Sequence, residues 1–175
     1  MDSRKGKTIK IAQSGIFCVL IFAFTMIQVP APTVGNVNLG DCMVIISACS
    51  LGGIYSIIAC GIGASLSDLL MGYTVYAPAT FLIKALMALV IVLFREKVFK
   101  TKGNLSLVIS AIIAEIIMIL GYFVFEATLL GYGFGAIANV AFNSIQGAIN
   151  VVIGVVLYNL LKRLNLLEKT KNNRE

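Results

Sequence analysis

Two opposite charges stand inside apolar sequence in the stretch from Gly61 to Lys84, GIGASLSDLLMGYTVYAPATFLIK. An ionisable side chain at bilayer depth is costly unless it is paired or faces a wet cavity, so Asp68 and Lys84 each mark a candidate site. Gly72, Tyr73, Tyr76 and Pro78 between them read as a short turn at one membrane face. Asp68 lies about four residues before that turn and Lys84 about six after it, which at a rise of 1.5 Å per residue sets both roughly 6–9 Å below one surface. The spacing predicts an Asp68–Lys84 ion pair across a helix hairpin, either stapling two helices or also shaping a polar pocket open to that face.

A second group lies further on. Asn139, Asn143, Gln146 and Asn150 recur at offsets 0, +4, +7 and +11, one face of a helix, and Glu115, Tyr122 and Glu126 recur at 0, +7 and +11 on another. Lipid offers such groups no hydrogen bonds, so they must turn inward, onto neighbouring helices or into a cavity. Interhelical hydrogen bonds in membranes average about 0.6 kcal/mol, a poor return if stability were the stripe's only purpose, which favours a binding cavity. Amides and a carboxylate match the donors and acceptors of a polar heterocycle, and Tyr73, Tyr76, Tyr122 and Tyr132 supply flat apolar contacts. The chemistry is recognition rather than catalysis. Glu115 and Glu126 are separated by about 16 Å of helical rise, too far to work as a catalytic dyad in an intramembrane enzyme. The chain has no histidine, and Cys18, Cys42, Cys49 and Cys60 show no C-x-x-C spacing, so no metal, redox site or cofactor is expected.

The elements that must position these groups follow from composition. With 175 residues, 59% of them apolar, and a mean hydropathy of +0.96, the chain reads as an integral membrane protein. About 20 apolar residues cross the hydrocarbon core, which leaves room for five or six spans and no soluble catalytic domain. We expect a single all-α domain over 1–175 with six transmembrane helices at about 9–29, 41–51, 53–72, 79–94, 105–127 and 136–161. The basic run Arg4, Lys5, Lys7 and Lys10 also begins the way a signal peptide does. The best small-residue cleavage site ends at Ala31 before Pro32, however, and the apolar run is long, so a retained first helix is expected. On that helix Ala12, Ser14, Gly15 and Cys18 permit close approach of a partner helix, or packing within the chain. Residues 30–41 hold two prolines, two glycines and two asparagines and read as a loop, with Asp41 capping the next helix. Gly52 and Gly53 break helix two from helix three, where Ala59, Gly63 and Ser67 form a small-residue packing stripe. The glycine-rich run Gly131 to Gly135 reads as a connection that fits a lid over the outer cavity.

Thirteen of the fourteen Lys and Arg residues fall in the N-terminal tail, the loop after helix four and the C-terminal tail. The positive-inside rule therefore places both termini in the cytoplasm and the loops at 30–41, 73–78 and 128–135 outside. The net charge of +6 thus reflects topology, with no nucleic-acid partner implied.

The order of these features resembles the substrate-binding S components of energy-coupling factor (ECF) vitamin transporters. The resemblance rests on Asn38 to Asp41 (NLGD), Leu51 to Gly53 (LGG), Gly63 with Asp68 to Tyr73 (DLLMGY), Tyr76 to Lys84 (YAPATFLIK) and the pair Asn143 and Gln146. It looks nearest the hydroxymethylpyrimidine, pyridoxine and riboflavin branch. It implies a multi-pass protein of the bacterial plasma membrane that captures a vitamin or precursor outside, a pyrimidine or pyridine heterocycle or riboflavin, at a site on the outer half formed by the outer loops and helices four to six. For this chain the expected contacts are Asn38, Tyr76, Lys84, Tyr122, Glu126, Asn139, Asn143 and Gln146. It also implies a transmembrane T component and two ATP-binding cassette ATPases as partners, since the chain carries no Walker A motif. The family's Ala-x-x-x-Ala docking repeat is absent from helix one, where Ala12 is followed by Ile16, and Ser14 with Cys18 keeps the spacing instead. The alternative function is a stand-alone small-molecule carrier or channel.

Overall fold

The computed structural model describes residues 2–30, 36–99 and 103–167. The Ala31–Pro32 site and the basic residues Lys100, Lys102, Lys169, Lys171 and Arg174 lie outside the described residues. Six α-helices account for nearly everything else: α1 Asp2–Met26, α2 Gly40–Leu51, α3 Gly53–Leu70, α4 Ala77–Leu93, α5 Asn104–Thr128 and α6 Ile137–Arg163. Their bounds fall within a few residues of those expected, apart from α1, which starts earlier.

Five helical segments are long and apolar enough to cross a bilayer: 6–26, 53–70, 77–98, 104–128 and 133–163. The sixth helix, α2, is different. Its 12 residues reach about 18 Å, against a hydrocarbon core of about 30 Å. Residues Gly40 to Ala48 are all buried, and α2 packs against α1, α3, α4 and α6. A helix apolar all round belongs in a core, so α2 is the short post around which the longer helices stand. The core holds Ile21, Val44, Ile45, Met87, Ile91, Leu107 and Met118.

Small residues set the close contact between α3 and α1. Ala59, Gly63 and Ser67 are buried on one face of α3, and a Cβ on Gly63 would come within 2.5 Å of the Cys18 carbonyl of α1. Gly52, at φ 63°, takes the left-handed turn that ends α2 and starts α3 one residue later.

The segment before α2 departs from the expected loop. Gln28–Pro30 (β1) and Asn36–Asn38 (β2) pair antiparallel, with Gln28 opposite Asn38 and Val29 opposite Val37. Alternation of Asn36, Val37 and Asn38 suits a short ribbon, and Pro30 sits at its end, where a missing N–H is tolerated. After α4 the helix continues as a π-helical turn, Phe94–Val98, and a 3-10 turn, Gly133–Ala136, leads into α6.

Candidate functional site

One end of the bundle gathers the ribbon, the α3–α4 turn, the end of α5 and the start of α6 around a cleft. Its free volume is about 60 Å³, room for a few waters, inside an envelope of about 510 Å³ that includes the mouth. Asn36 and Asn38 of β2 and Gln28 of β1 form one wall. Asp68, Tyr73, Tyr76 and Thr80 form another, with Tyr122, Glu126, Asn143 and Gln146 opposite. Among the described residues no lysine or arginine lines it.

Beneath the cleft lies a buried polar network, and it overturns the expected ion pair. Lys84 is paired with Asp41, not Asp68, and the two side chains are 1% and 0% exposed. The reason is geometric: the short α2 runs down the middle of the bundle and brings its first turn opposite α4. Asp41 therefore does not cap its helix; at the start of α2 it is Asn38 Oδ1 that accepts from the Gly40 N–H, at 3.0 Å. Its second oxygen accepts a hydrogen bond from Gln146 Nε2 at 2.7 Å, and Gln146 Oε1 in turn accepts from the Asn38 backbone N–H at 2.9 Å. Asn150 Nδ2 donates to the Asn38 carbonyl at 2.8 Å, while its Oδ1 accepts from the Cys42 N–H at 2.9 Å. The amide stripe of α6 is thus partly glue. Gln146 and Asn150 satisfy the backbone where β2 enters α2, a place where unmet donors would be expensive.

Asp68 instead stands in the cleft wall, and its Oδ2 is buried without a hydrogen-bond partner among the described residues. Glu126 is held from two sides: Asn139 Nδ2 donates to its Oε2 at 2.8 Å and the Tyr76 hydroxyl approaches its Oε1 at 3.4 Å. Burial, with the Glu126 carboxylate beside it, pushes the Tyr76 phenol above its ordinary range, so it stays a neutral donor at physiological pH. Thr80 Oγ1 and the Tyr122 hydroxyl lie 3.0 Å apart, and Lys84 Nζ sits 5.6 Å from the Tyr122 ring centre. Tyr76 makes edge contacts with Tyr73 and Phe125, with ring centres 6.4 and 5.4 Å apart.

Of the eight expected contact residues, Asn38, Tyr76, Tyr122, Glu126, Asn143 and Gln146 come together at the cleft. Lys84 and Asn139 are not among its lining residues: Lys84 pairs with Asp41 beneath the cleft, and Asn139 bonds Glu126 in its wall. Glu115, on the same face as Tyr122 and Glu126, lies off the cleft, buried, with neither oxygen bonded among the described residues. Sequence reasoning missed Gln28, Asn36 and Thr80. Thr80 had a signal, since Tyr76, Thr80 and Lys84 recur at 0, +4 and +8 on α4.

The four small residues of α1 divide. The Ser14 hydroxyl donates to the Tyr55 carbonyl at 2.9 Å and Cys18 meets Gly63, so both face α3. Ala12 and Gly15 remain exposed, and nothing lies within 4 Å of a Cβ placed on Gly15. Ser14 and Cys18 are therefore not on the open face expected of a docking repeat; the close approach of α3 at Gly63 occupies them.

The family model for the S component of ECF-type riboflavin transporters matches residues 5–163. The chain belongs to this family. A solved structure of the S component of a bacterial ECF transporter superposes with a TM-score of 0.74 at 21% identity, covering 90% of this chain and 98% of that one, a likeness of fold. An uncharacterised protein of Pyrococcus woesei is 28% identical over 139 residues, covering 79% of this chain and 90% of its own. As an S component, the protein is a multi-pass protein of the cell membrane and the substrate-binding subunit of an ECF transporter, not an enzyme.

Proposed function

We propose that this S component captures riboflavin in the cleft and delivers it inward together with a transmembrane T component and two ABC ATPases. The observation that carries the substrate is the composition of the cleft wall: among the described residues, two carboxylates, Asp68 and Glu126, several amides, three tyrosine rings and no cation. Riboflavin is neutral, with an imide edge that pairs with amides, a flat ring that packs on tyrosine, and a chain of hydroxyls that donate to carboxylates. A phosphorylated flavin would bring two negative charges against Asp68 and Glu126 and is disfavoured. Pyridoxine and hydroxymethylpyrimidine share the polar ring but leave more of the wall unmatched, and the family assignment also favours the flavin. A ring of this size exceeds the free volume of about 60 Å³, so binding must widen the mouth, displacing the Tyr73 and Tyr76 rings or the ribbon.

The basic residues at the opposite end of the bundle support cytoplasmic termini and an outward-facing cleft. For docking, the exposed α1 face of Ala12, Gly15, Ile16 and Val19 is the better candidate surface for the T component than Ser14 and Cys18.

Titration of the purified protein with riboflavin and its 5′-phosphate, read by quenching of flavin fluorescence, tests the substrate. Tight riboflavin binding with weaker binding of the phosphate supports the proposal. Equal affinity for both, or binding of pyridoxine alone, contradicts it. Uptake by the protein alone in liposomes, without ATPases, would instead favour a stand-alone carrier.

A further inference from the structure

The short α2 has a second consequence, at the opposite end of the bundle from the cleft. From Gly40 to Leu51 it descends about 18 Å, whereas α4 with its π-helical extension, 77–98, runs about 33 Å. The missing turns leave a recess of about 320 Å³ below the α2 terminus, bounded by Cys49, Ser50 and Gly52 on one side and Val92, Arg95 and Glu96 on the other.

Arg95 lies in the π-helical turn, and the wider winding there directs its side chain into the bundle. It is 6% exposed. One guanidinium nitrogen reaches the Cys49 thiol at 2.9 Å, another the Tyr158 hydroxyl at 3.5 Å, and the group lies 5.1 Å from the Tyr158 ring centre. No carboxylate forms an ion pair with it among the described residues. Ser50 Oγ, in the same wall, is buried without a hydrogen-bond partner. Among the described residues this buried guanidinium bonds only a thiol and a phenol and pairs with no carboxylate, the setting of a planar fork open to an anion.

The recess also lies at the foot of an exposed apolar face of α3. Ile54, Ile58, Ile62, Leu66 and Leu69 are all exposed and follow one another up α3 from the recess at helical spacing, an apolar track beside a cationic pocket. We propose that the Arg95 recess binds the phosphate of an anionic membrane lipid, whose acyl chains lie along the exposed face of α3. This site is independent of the substrate cleft and of the flavin assignment. Arg95 supplies the charge, Ser50 a hydroxyl donor, and Glu96 at the mouth opposes the ligand.

The full-length protein in neutral detergent, supplied with phosphatidylglycerol, phosphatidylcholine or inorganic phosphate, is to be followed by native mass spectrometry and thermal melting. One phosphatidylglycerol should be retained per protein and should raise the melting midpoint, with phosphatidylcholine weaker and inorganic phosphate without effect at the same concentration. Arg95→Gln should weaken phosphatidylglycerol about tenfold or more, the loss of a charge-assisted bond. Glu96→Gln should strengthen it and, being an exposed change, keeps the test open if Arg95→Gln does not survive purification. Lys162→Gln with Arg163→Gln should leave it unchanged. Equal retention of phosphatidylcholine, a shift reproduced by inorganic phosphate, unchanged binding in Arg95→Gln, no gain in Glu96→Gln, or an equal loss in the Lys162 and Arg163 variant would each overturn the assignment.

Discussion

Lys84 is the largest fully buried side chain among the described residues, and its partner decides what the inside of the bundle is for. With Asp41 as that partner, Lys84→Met strands a carboxylate in the core and should cost about 3–5 kcal/mol in detergent melting. Combining it with Asp41→Asn should recover much of that loss, and combining it with Asp68→Asn should recover none. The opposite pattern would restore the Asp68 pairing. The sequence held the right ingredients here, two charges at bilayer depth, but hairpin proximity pointed to the wrong carboxylate. Asp41 looked like an ordinary cap because its burial depends on α2 standing at the centre, which no local pattern reveals. Asp68, released from the ion pair, becomes a cleft residue. Asp68→Asn should therefore narrow the preference for riboflavin over its phosphate while leaving melting within about 1 kcal/mol, since a half-buried carboxylate with one oxygen unbonded is no strong source of stability.

At the scale of helices, apolar runs and glycine breaks placed six helices, because long periodic segments with Pro and Gly punctuation are the clearest signal a membrane sequence carries. Two features escaped. The ribbon of β1 and β2 is too short to stand out from a Pro- and Gly-rich loop, and α2 is too short to span although its composition is that of a span. The small-residue stripe of α3 was legible and finds its match on α1, where Gly63 admits the Cys18 carbonyl. Gly63→Leu should separate these helices and lower the melting midpoint strongly, by an overpacking cost of about 1–3 kcal/mol or more. Gly15→Leu, with open space around it, should leave melting and ligand binding intact. If the outer α1 face is the docking surface, Gly15→Leu should reduce co-purification with a T component, whereas unchanged recovery would move docking elsewhere.

For the whole molecule, the ribbon, the α3–α4 turn and the neighbouring stretches of α3 to α6 carry the recognition groups at one end, and the described Arg95, Lys97, Lys162 and Arg163 stand at the other. The amide stripe of α6 joins the two roles: Gln146 touches the cleft and also bonds Asp41, so substrate contact and core stability share a side chain. Asn143 is the cleaner probe, because it lines the cleft and its side chain is not part of the Asp41 network. The central claim is that a neutral flavin sits between these loops against Asn143, and fluorescence titration of riboflavin into wild type and Asn143→Ala, with melting measured in parallel, tests it most directly. Wild type should quench the flavin at one site, and Asn143→Ala should bind about tenfold more weakly at an unchanged melting midpoint, the effect of one lost hydrogen bond in a dry site. Equal affinity in the two proteins, or no quenching by wild type, would contradict the account.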